Sequence, residues 1–195
     1  MVRYADDVVM CFGREDDARR VLEVLPKRLE RYGLSLHPEK TRMVEFRRPP
    51  HKDNRPSEQR PPRPGTFDFL GFTHYWGRSR KGTWVVKRKT MKSRFSRALS
   101  EIARWCSKAR HLPVREQHRI LTMKMRGHDA YYGITGNARS LAQIRYWVER
   151  IWKKWLSRRS RKAQMNWERF AELLRRYPLP PPVVVHSIYR QSANP

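Results

Sequence analysis

Two adjacent carboxylates near the start of the chain are the residues whose type and spacing most directly suggest chemistry. Asp6 and Asp7 lie between two short runs of apolar and aromatic residues in the sequence VRYADDVVMCF, residues 2–12. Carboxylate oxygens bind hard divalent cations such as Mg²⁺, which also take oxygens from substrate phosphates. The same dipeptide is common in solvated turns that do no chemistry. The pair is therefore a candidate metal site, and its function depends on the elements that position it.

The runs that flank the carboxylates predict a β-hairpin with Asp6 and Asp7 at its tip. A helix is predicted next, because apolar residues recur at helical spacing from Ala18 to Tyr32, acidic residues precede them, and Gly33 follows as a stop. Pro26 is expected to kink this helix. The sequence LSLHPEKTRMVEF, residues 34–46, predicts two short strands around a turn at His37-Pro38.

The rest of the chain divides into a polar loop, a hairpin and a helical region. Residues 47–65 are too rich in proline and charge to bury, so they predict a linker or exposed loop. FDFLGFTHYW and GTWVVKRKT predict strands of a hairpin around Gly77–Gly82. From Thr90 onward, four apolar stripes predict helices, with a break at YYGITGN, residues 131–137, and an extended tail after Tyr177. Trp152 and Trp155 lie on such a stripe and are expected in the core.

The charge of the chain implies a polyanionic partner. The formal net charge is +26, yet residues 1–46 hold nine acidic and nine basic residues. Residues 87–169 hold 23 Lys and Arg against 5 Asp and Glu. A basic face that only keeps a protein in solution does not need such one-sided charge, so nucleic acid is the expected partner.

Two unpaired cysteines and the lack of a long apolar run indicate which cellular compartment the protein occupies. Cys11 and Cys106 have no metal-ligand spacing and are expected to be small buried hydrophobic residues. Without a signal peptide or membrane span, we expect an intracellular, cytoplasmic protein with no membrane partner.

Several motifs in order resemble the group II intron reverse transcriptase/maturase family. RYADDVVMCF resembles the Y-A-D-D catalytic turn, GLSLHPEKTRMVEF the next palm motif, and FDFLGFTHYW the primer-grip hairpin. The helical region around SLAQIRYWVERIWKKW resembles the thumb or maturase domain, and YPLPPPVVVHSIYR the C-terminal end of bacterial members.

The resemblance implies roles for particular residues. Asp6 and Asp7 match the metal-binding catalytic aspartates, Tyr4 the aromatic residue that packs at the primer end, and Lys40 a lysine near the leaving pyrophosphate. Phe69, Leu70 and Gly71 match the loop that holds the primer strand. The alternatives are a surface lysine at Lys40 and plain core packing at Phe69 and Leu70.

The resemblance also implies parts that this sequence lacks. Family members begin with fingers and a first palm half that carries another catalytic aspartate, whereas this chain starts at the Y-A-D-D turn. We therefore expect a C-terminal fragment that binds Mg²⁺ weakly and does not polymerise alone. A complementing N-terminal polypeptide would complete the palm and allow dNTP binding.

Two functions remain open, with a basic architectural DNA-binding protein as a third reading. The first is a fragment of an RNA-directed DNA polymerase that uses an RNA template and primer DNA. The second is a non-catalytic, RNA-binding, maturase-like splicing cofactor. Both predict phosphate contacts from the basic residues that alternate with the apolar stripe: Arg145, Arg150, Lys153, Lys154, Arg158 and Arg159.

The expected fold is α+β, a partial reverse-transcriptase palm followed by a helical thumb/maturase bundle. The expected domains are the partial palm (1–48), the proline-rich loop (49–66), the primer-grip hairpin (67–89) and the helical domain with its extended tail (90–195).

Overall fold

The computed structural model describes residues 1–50, 65–160 and 164–187. Short strands and longer helices are both present, so the predicted α+β class is confirmed. The predicted loop at 49–66 and the end of the predicted tail fall largely outside the described residues. The elements are β1 (Val2–Tyr4), β2 (Asp7–Val9), α1 (Glu15–Glu30), β3 (Phe67–Phe69), β4 (Phe72–Arg78), β5 (Trp84–Thr90), α2 (Lys92–Lys108), α3 (Val114–Tyr132), α4 (Ala138–Leu156) and α5 (Trp167–Arg176).

The chain falls into two compact units. The first comprises Met1–Leu70 and His74–Lys87, and the second comprises Gly71–Thr73 and Arg88–Pro195. We call them the strand unit and the helical unit. The residues of the predicted primer-grip hairpin are divided between these two units, and the predicted four-part division remains a prediction.

The N-terminal hairpin and helix form where the sequence predicts them. β1 and β2 pair antiparallel, with Val2 opposite Val9 and Tyr4 opposite Asp7. α1 begins with three acidic residues and ends in a turn with basic ones, which complements the helix dipole at both ends. Gly33 takes a φ of +67°, a conformation that favours glycine and ends the helix. Pro26 lies inside α1, and the predicted kink there remains a prediction.

The two strands predicted between residues 34 and 46 are wrong, although the turn between them is confirmed. The N–H groups of Lys40 and Thr41 donate to the His37 carbonyl at 3.3 and 3.0 Å, while residues 41–50 have no regular structure. Phe46 packs edge-on against Phe67 and stacks on Trp76, with centroid separations of 5.0 and 5.4 Å. This packing, together with hydrogen bonds that the Glu45 and Phe46 carbonyls accept from the Gly65 N–H and Trp76 Nε1, holds this segment in place of a strand ladder.

β3, β4 and β5 form a three-stranded sheet in that order. Leu70 and Gly71 connect β3 to β4 and both have positive φ, +50° and +75°, as in the tight turns that suit hairpins. The connection from β4 to β5 closes with the Ser79 N–H donating to the Thr83 carbonyl at 2.8 Å. The predicted hairpin around Gly77–Gly82 is confirmed, with β3 as an additional strand.

The core of the helical unit is built by α2 to α5, as the apolar stripes predict. Trp152 and Leu121 are fully buried, and Trp155 is partly buried against the same core. Trp152 donates from its indole Nε1 to Gln117 Oε1 at 2.9 Å. Both tryptophans therefore belong to the core, as expected. The buried cluster consists of Ile102, Cys106, Leu121, Met125, Ile144, Val148, Trp152, Leu156, Phe170 and Leu179.

The prediction for the cysteines is half wrong. Cys106 is buried in the helical core, and burial raises the pKa of its thiol to about 12. Cys11 is exposed, because it follows β2 in a segment where none of residues 1–50 is buried.

None of the described helices is long and apolar enough to cross a membrane.

Candidate active site and nucleic-acid interface

The acidic tip is a two-residue turn at the end of the first hairpin. Because Tyr4 pairs with Asp7, Ala5 and Asp6 form the turn itself, and Asp7 is the first residue of β2. Residues paired across an antiparallel ladder present their side chains on the same face. The Tyr4 ring and the Asp7 carboxylate therefore emerge side by side, with Asp6 adjacent at the tip. All three residues are exposed.

The backbone of this turn is held in a conformation that alanine seldom adopts. Ala5 has a φ of +49°, in the region that favours glycine. Such a position normally holds glycine, and a non-glycine residue there costs on the order of 1–3 kcal/mol. Arg3 Nε donates to the Ala5 carbonyl at 3.0 Å and so stabilises the turn. The sequence therefore positions the carboxylates through a constrained turn.

The donor set at the tip fits Mg²⁺ only with help from other ligands. Within the described ranges 1–50, 65–160 and 164–187, no group of three or more metal-ligating side chains is present. Mg²⁺ is commonly held by one or two carboxylates, with water and substrate phosphates completing its six ligands. Asp6 and Asp7 supply the two carboxylates, and their exposure leaves room for the remaining ligands.

Lys40 lies at the end of the turn that follows Leu36. Its backbone N–H closes the turn on the His37 carbonyl, and the residue is exposed. This placement leaves the ammonium accessible to a phosphate. It fits a surface lysine equally well, so the catalytic role of Lys40 remains a prediction.

The predicted primer-grip loop is a tight turn between β3 and β4. The Gly71 carbonyl accepts a hydrogen bond from the Met91 N–H at 2.9 Å. A Cβ at Gly71 would lie 3.1 Å from the Tyr132 hydroxyl, and its φ of +75° also favours glycine. Phe69 and Leu70 are half-buried, which agrees with packing as well as with strand binding. The backbone conformation of Gly71 and its distance from the Tyr132 hydroxyl thus explain why glycine occupies this position.

Four of the six predicted nucleic-acid-binding residues lie over aromatic rings on α4 and α5. The Arg150 guanidinium carbon lies 4.5 Å from the Tyr146 centroid and 5.2 Å from the Trp167 centroid. Lys153 Nζ lies 4.6 Å from the Trp167 centroid. Lys154 and Arg158 lie over Trp155, at 5.8 and 5.3 Å. These cations have no carboxylate partner among the described residues, so their charge is available to phosphates.

The other two predicted binding residues have partners within the helical unit. Arg145 Nε donates to Glu149 Oε1 at 3.0 Å, one turn away on α4. Arg159 donates from Nε to the Arg110 carbonyl and from Nη2 to the Leu112 carbonyl. Arg159 therefore ties the end of α4 to the loop after α2. Its predicted contact with nucleic acid would compete with these hydrogen bonds.

Sequence reasoning missed the buried polar residues and the exposed aromatics of this unit. Asn137 is buried and bonds to Thr90 through two hydrogen bonds, Thr90 N–H to Oδ1 at 2.9 Å and Nδ2 to Oγ1 at 2.8 Å. Tyr146 and Trp167 are about half exposed, 47% and 52%. The signal for Tyr146 was available, because it lies off the apolar stripe of α4, whereas the partners of Asn137 are set by the tertiary fold.

One of three comparisons with known proteins produced a match. Residues 1–74 match the family model of the reverse transcriptase (RNA-dependent DNA polymerase). The matched region contains the acidic tip, Lys40 and the Phe69–Gly71 loop. Neither the comparison with curated proteins nor the comparison with solved structures found a match. Residues 1–74 of this chain are therefore similar in sequence to the reverse transcriptase family, the RNA-dependent DNA polymerases.

Proposed function

We propose that this chain is a reverse transcriptase polypeptide of the group II intron reverse transcriptase/maturase type, with RNA as its partner. The observation that carries the proposal is the hairpin register: Tyr4 opposite Asp7 and Asp6 in the turn. It presents an aromatic ring and two carboxylates together, in the part of the chain that matches the family. The basic residues exposed on the helical unit support RNA binding.

The proposed chemistry is phosphoryl transfer at the acidic tip. Mg²⁺, when bound, would neutralise phosphate charge at the reacting centre. Asp6 and Asp7 would hold the ion, and the Tyr4 ring would pack against the end of the primer. Lys40 would stabilise negative charge on the departing pyrophosphate. Phe69, Leu70 and Gly71 would position the primer strand.

Primer extension on an RNA template tests the catalytic part. The full chain is assayed with Mg²⁺, dNTPs and a DNA primer, alone and with a polypeptide that supplies reverse transcriptase fingers and the first palm half. We expect extension only in the mixture, and its loss in Asp6→Ala and in Asp7→Ala. Asp17→Ala removes an exposed carboxylate from α1 and serves as the matched control. Extension unchanged by Asp7→Ala would contradict the proposal.

Metal binding provides a readout that does not depend on activity. Mn²⁺ is paramagnetic and broadens NMR signals of nearby nuclei, and its hard oxygen preference resembles that of Mg²⁺. We expect broadening centred on residues 4–8 and absent from Asp6→Ala. Broadening centred instead on the acidic first turn of α1 would place the cation elsewhere.

The exposed apolar surface of the N-terminal segment supports a complementing polypeptide. Val2, Val8 and Val24 are 59%, 43% and 55% exposed, and none of residues 1–50 is buried. Among the described strands, β1 and β2 pair only with each other, which leaves their outer edges unpaired. The proposed occupant is a polypeptide with polymerase palm strands, which would add strands at these edges and cover α1.

Hydrogen exchange of the chain, measured with the same added polypeptide, tests the proposed contact with the N-terminal segment. We expect slower exchange of the amides in β1, β2 and α1 when it is present, and loss of that protection in Val24→Lys. Glu23→Lys, a charge change at the neighbouring exposed position of α1, should preserve the protection. Equal exchange with and without the added polypeptide would contradict the proposed contact.

The alternative function, a non-catalytic RNA-binding splicing cofactor, rests on the helical unit alone. Its basic residues favour it, because Arg150, Lys153 and Lys154 of α4 have no acidic partner among the described residues, whether or not the acidic tip works. RNA-dependent splicing activity that survives Asp7→Ala would favour this alternative over polymerisation.

A further inference from the structure

Three large aromatic residues are left half exposed on one region of the helical unit. Tyr146 and Trp147 of α4 are 47% and 46% exposed, and Trp167, the first residue of α5, is 52% exposed. Aromatic side chains of this size stabilise a fold or an interface most when they are buried, and tryptophan is highly buried on average. With Arg150 and Lys153, these residues form what we call the aromatic–cation patch.

The cations of the patch lie directly on its rings. The Arg150 guanidinium lies within cation–π distance of both Tyr146 and Trp167, at 4.5 and 5.2 Å from their centroids. Lys153 lies 4.6 Å from the Trp167 centroid. Trp167 also makes an edge contact with the buried Phe170, at 6.0 Å between centroids. These contacts fix the orientation of Trp167 while about half of the residue stays open to solvent.

The charges around the patch favour an anionic partner. The acidic residues nearest in sequence are Glu149 and Glu168. The Glu149 carboxylate accepts from Arg145, and Asn166 Nδ2 donates to Glu168 Oε2 at 3.4 Å. Arg150 and Lys153 are thus not neutralised by either one. An apolar protein surface would have to desolvate both cations, whereas a nucleotide offers a ring to stack and a phosphate to pair.

We propose that the aromatic–cation patch binds unpaired nucleotides of single-stranded RNA. A base stacks on the open part of Trp167 or Tyr146, and the flanking phosphates pair with Arg150 and Lys153. The inference rests on the RNA binding proposed above and adds to it a preference for unpaired over duplex RNA. A base paired in an A-form helix is already stacked on its neighbours and does not offer its face to a side chain.

Binding of the full chain to a labelled single-stranded RNA and to a duplex of equal length tests the proposal by fluorescence anisotropy. In Trp167→Leu, which keeps apolar bulk but cannot stack in the same way, we expect the affinity for single-stranded RNA to fall about 5- to 150-fold. The affinity for the duplex should stay the same. Trp167→Phe should retain most of the single-strand affinity.

The salt dependence of RNA binding separates the contribution of the Trp167 ring from that of the cations. Trp167→Leu should leave the slope of log K against log salt unchanged, whereas Arg150→Gln should reduce its magnitude by about 0.7. Tyr32→Leu, a change at a 78% exposed tyrosine of the strand unit, is the matched aromatic control and should change neither affinity. Circular dichroism melting identifies any variant that fails to fold.

The outcomes distinguish this inference from the function it rests on. Equal losses for single-stranded and duplex RNA in a folded Trp167→Leu, or no loss for either, would overturn the stacking site while RNA binding stands. Failure of the unmodified chain to bind any RNA would overturn both.

Discussion

Among the basic side chains of α4 and its end, Arg158 and Arg159 are neighbours in sequence with different surroundings. Arg158 is exposed and lies over Trp155, whereas Arg159 is half-buried and donates to two backbone carbonyls. The charge of Arg158 is available to a ligand, while Arg159 satisfies acceptors of the loop after α2. Residues that look equivalent in a charge pattern therefore differ in what they do.

This difference predicts opposite effects of two substitutions. Arg159→Met should lower the free energy of unfolding by about 1–3 kcal/mol, because two carbonyls lose a charged donor. Arg158→Met should lower RNA affinity and leave that free energy unchanged within about 0.5 kcal/mol. Urea denaturation and RNA titration of both variants measure this. The reverse pattern would mean that the observed contacts of Arg159 are not maintained in solution.

The two cysteines predict a difference in thiol reactivity. The thiolate is the reactive form, and burial raises the pKa of Cys106 to about 12. Cys11 is exposed. In the native chain, an alkylating reagent should modify Cys11 quickly and Cys106 only after unfolding, as peptide mass spectrometry would show. Equal modification at both sites would contradict the burial of Cys106.

At the scale of elements, the helical unit is joined by buried polar contacts as well as by its apolar stripes. Gln117 of α3 accepts from the Trp152 indole of α4 and donates to the Arg110 and Leu112 carbonyls, at 3.2 and 2.9 Å. Every polar atom of its side chain is thus used. Such a fully bonded residue specifies how α3 and α4 align beyond what apolar packing alone requires.

Gln117→Leu tests this contribution. The apolar replacement leaves the Trp152 N–H without its acceptor, and we expect a loss of about 2–4 kcal/mol in the free energy of unfolding. Gln117→Glu keeps the acceptor but loses the donor, and it should also destabilise the fold. Equilibrium denaturation followed by tryptophan fluorescence measures both. A Leu variant as stable as the original would show that the hydrogen bonds contribute nothing net.

A largely buried histidine on the same helix, whose side chain is 10% exposed, predicts how stability depends on pH. Tyr132 stacks on the His128 ring, with 4.6 Å between the centroids. Burial lowers the pKa of His128, although its hydrogen bond to Asp129 acts in the opposite direction. The unfolded chain therefore takes up this proton at a higher pH, near 6.5, than the folded chain does. The free energy of unfolding should fall as the pH drops through about 6.5, and His128→Gln should reduce that dependence. Denaturation at several pH values checks this.

At the scale of the whole molecule, burial is unevenly distributed between the units. The helical unit contains a cluster of ten buried apolar residues, whereas none of residues 1–50 is buried. Burial of apolar area is the dominant favourable contribution to folding. Residues 1–50, which lie within the segment that matches the reverse transcriptase family, are therefore the part of the described chain with less to stabilise it.

This imbalance predicts the order of local opening. In hydrogen exchange of the chain alone, amides of β1, β2 and α1 should exchange much faster than those of α2, α3 and α4, because their opening exposes little buried surface. Mass spectrometry of peptides from both units measures the difference. Comparable protection in α1 and α4 would contradict the proposal that the N-terminal segment is left uncovered in the chain alone.

The sequence by itself predicted most of the local elements and a candidate metal site at the acidic tip. The hairpin at Asp6-Asp7 and the α2–α5 helices follow from local patterning, because turn residues and apolar periodicity act over a few residues. The similarity of residues 1–74 to the reverse transcriptase family is likewise a property of the sequence.

Only the tertiary structure decided which polar groups are available and which are occupied. The strands expected near Phe46 did not form, because a strand needs a neighbour to bond with and Phe46 instead packs against Phe67 and Trp76. Arg159 bonds to Arg110 and Asn137 bonds to Thr90, which lie 49 and 47 residues away in sequence. The half-exposed Trp167 lies beside Arg150 because α5 folds back beside α4. Such contacts depend on how the elements pack, which no local pattern specifies.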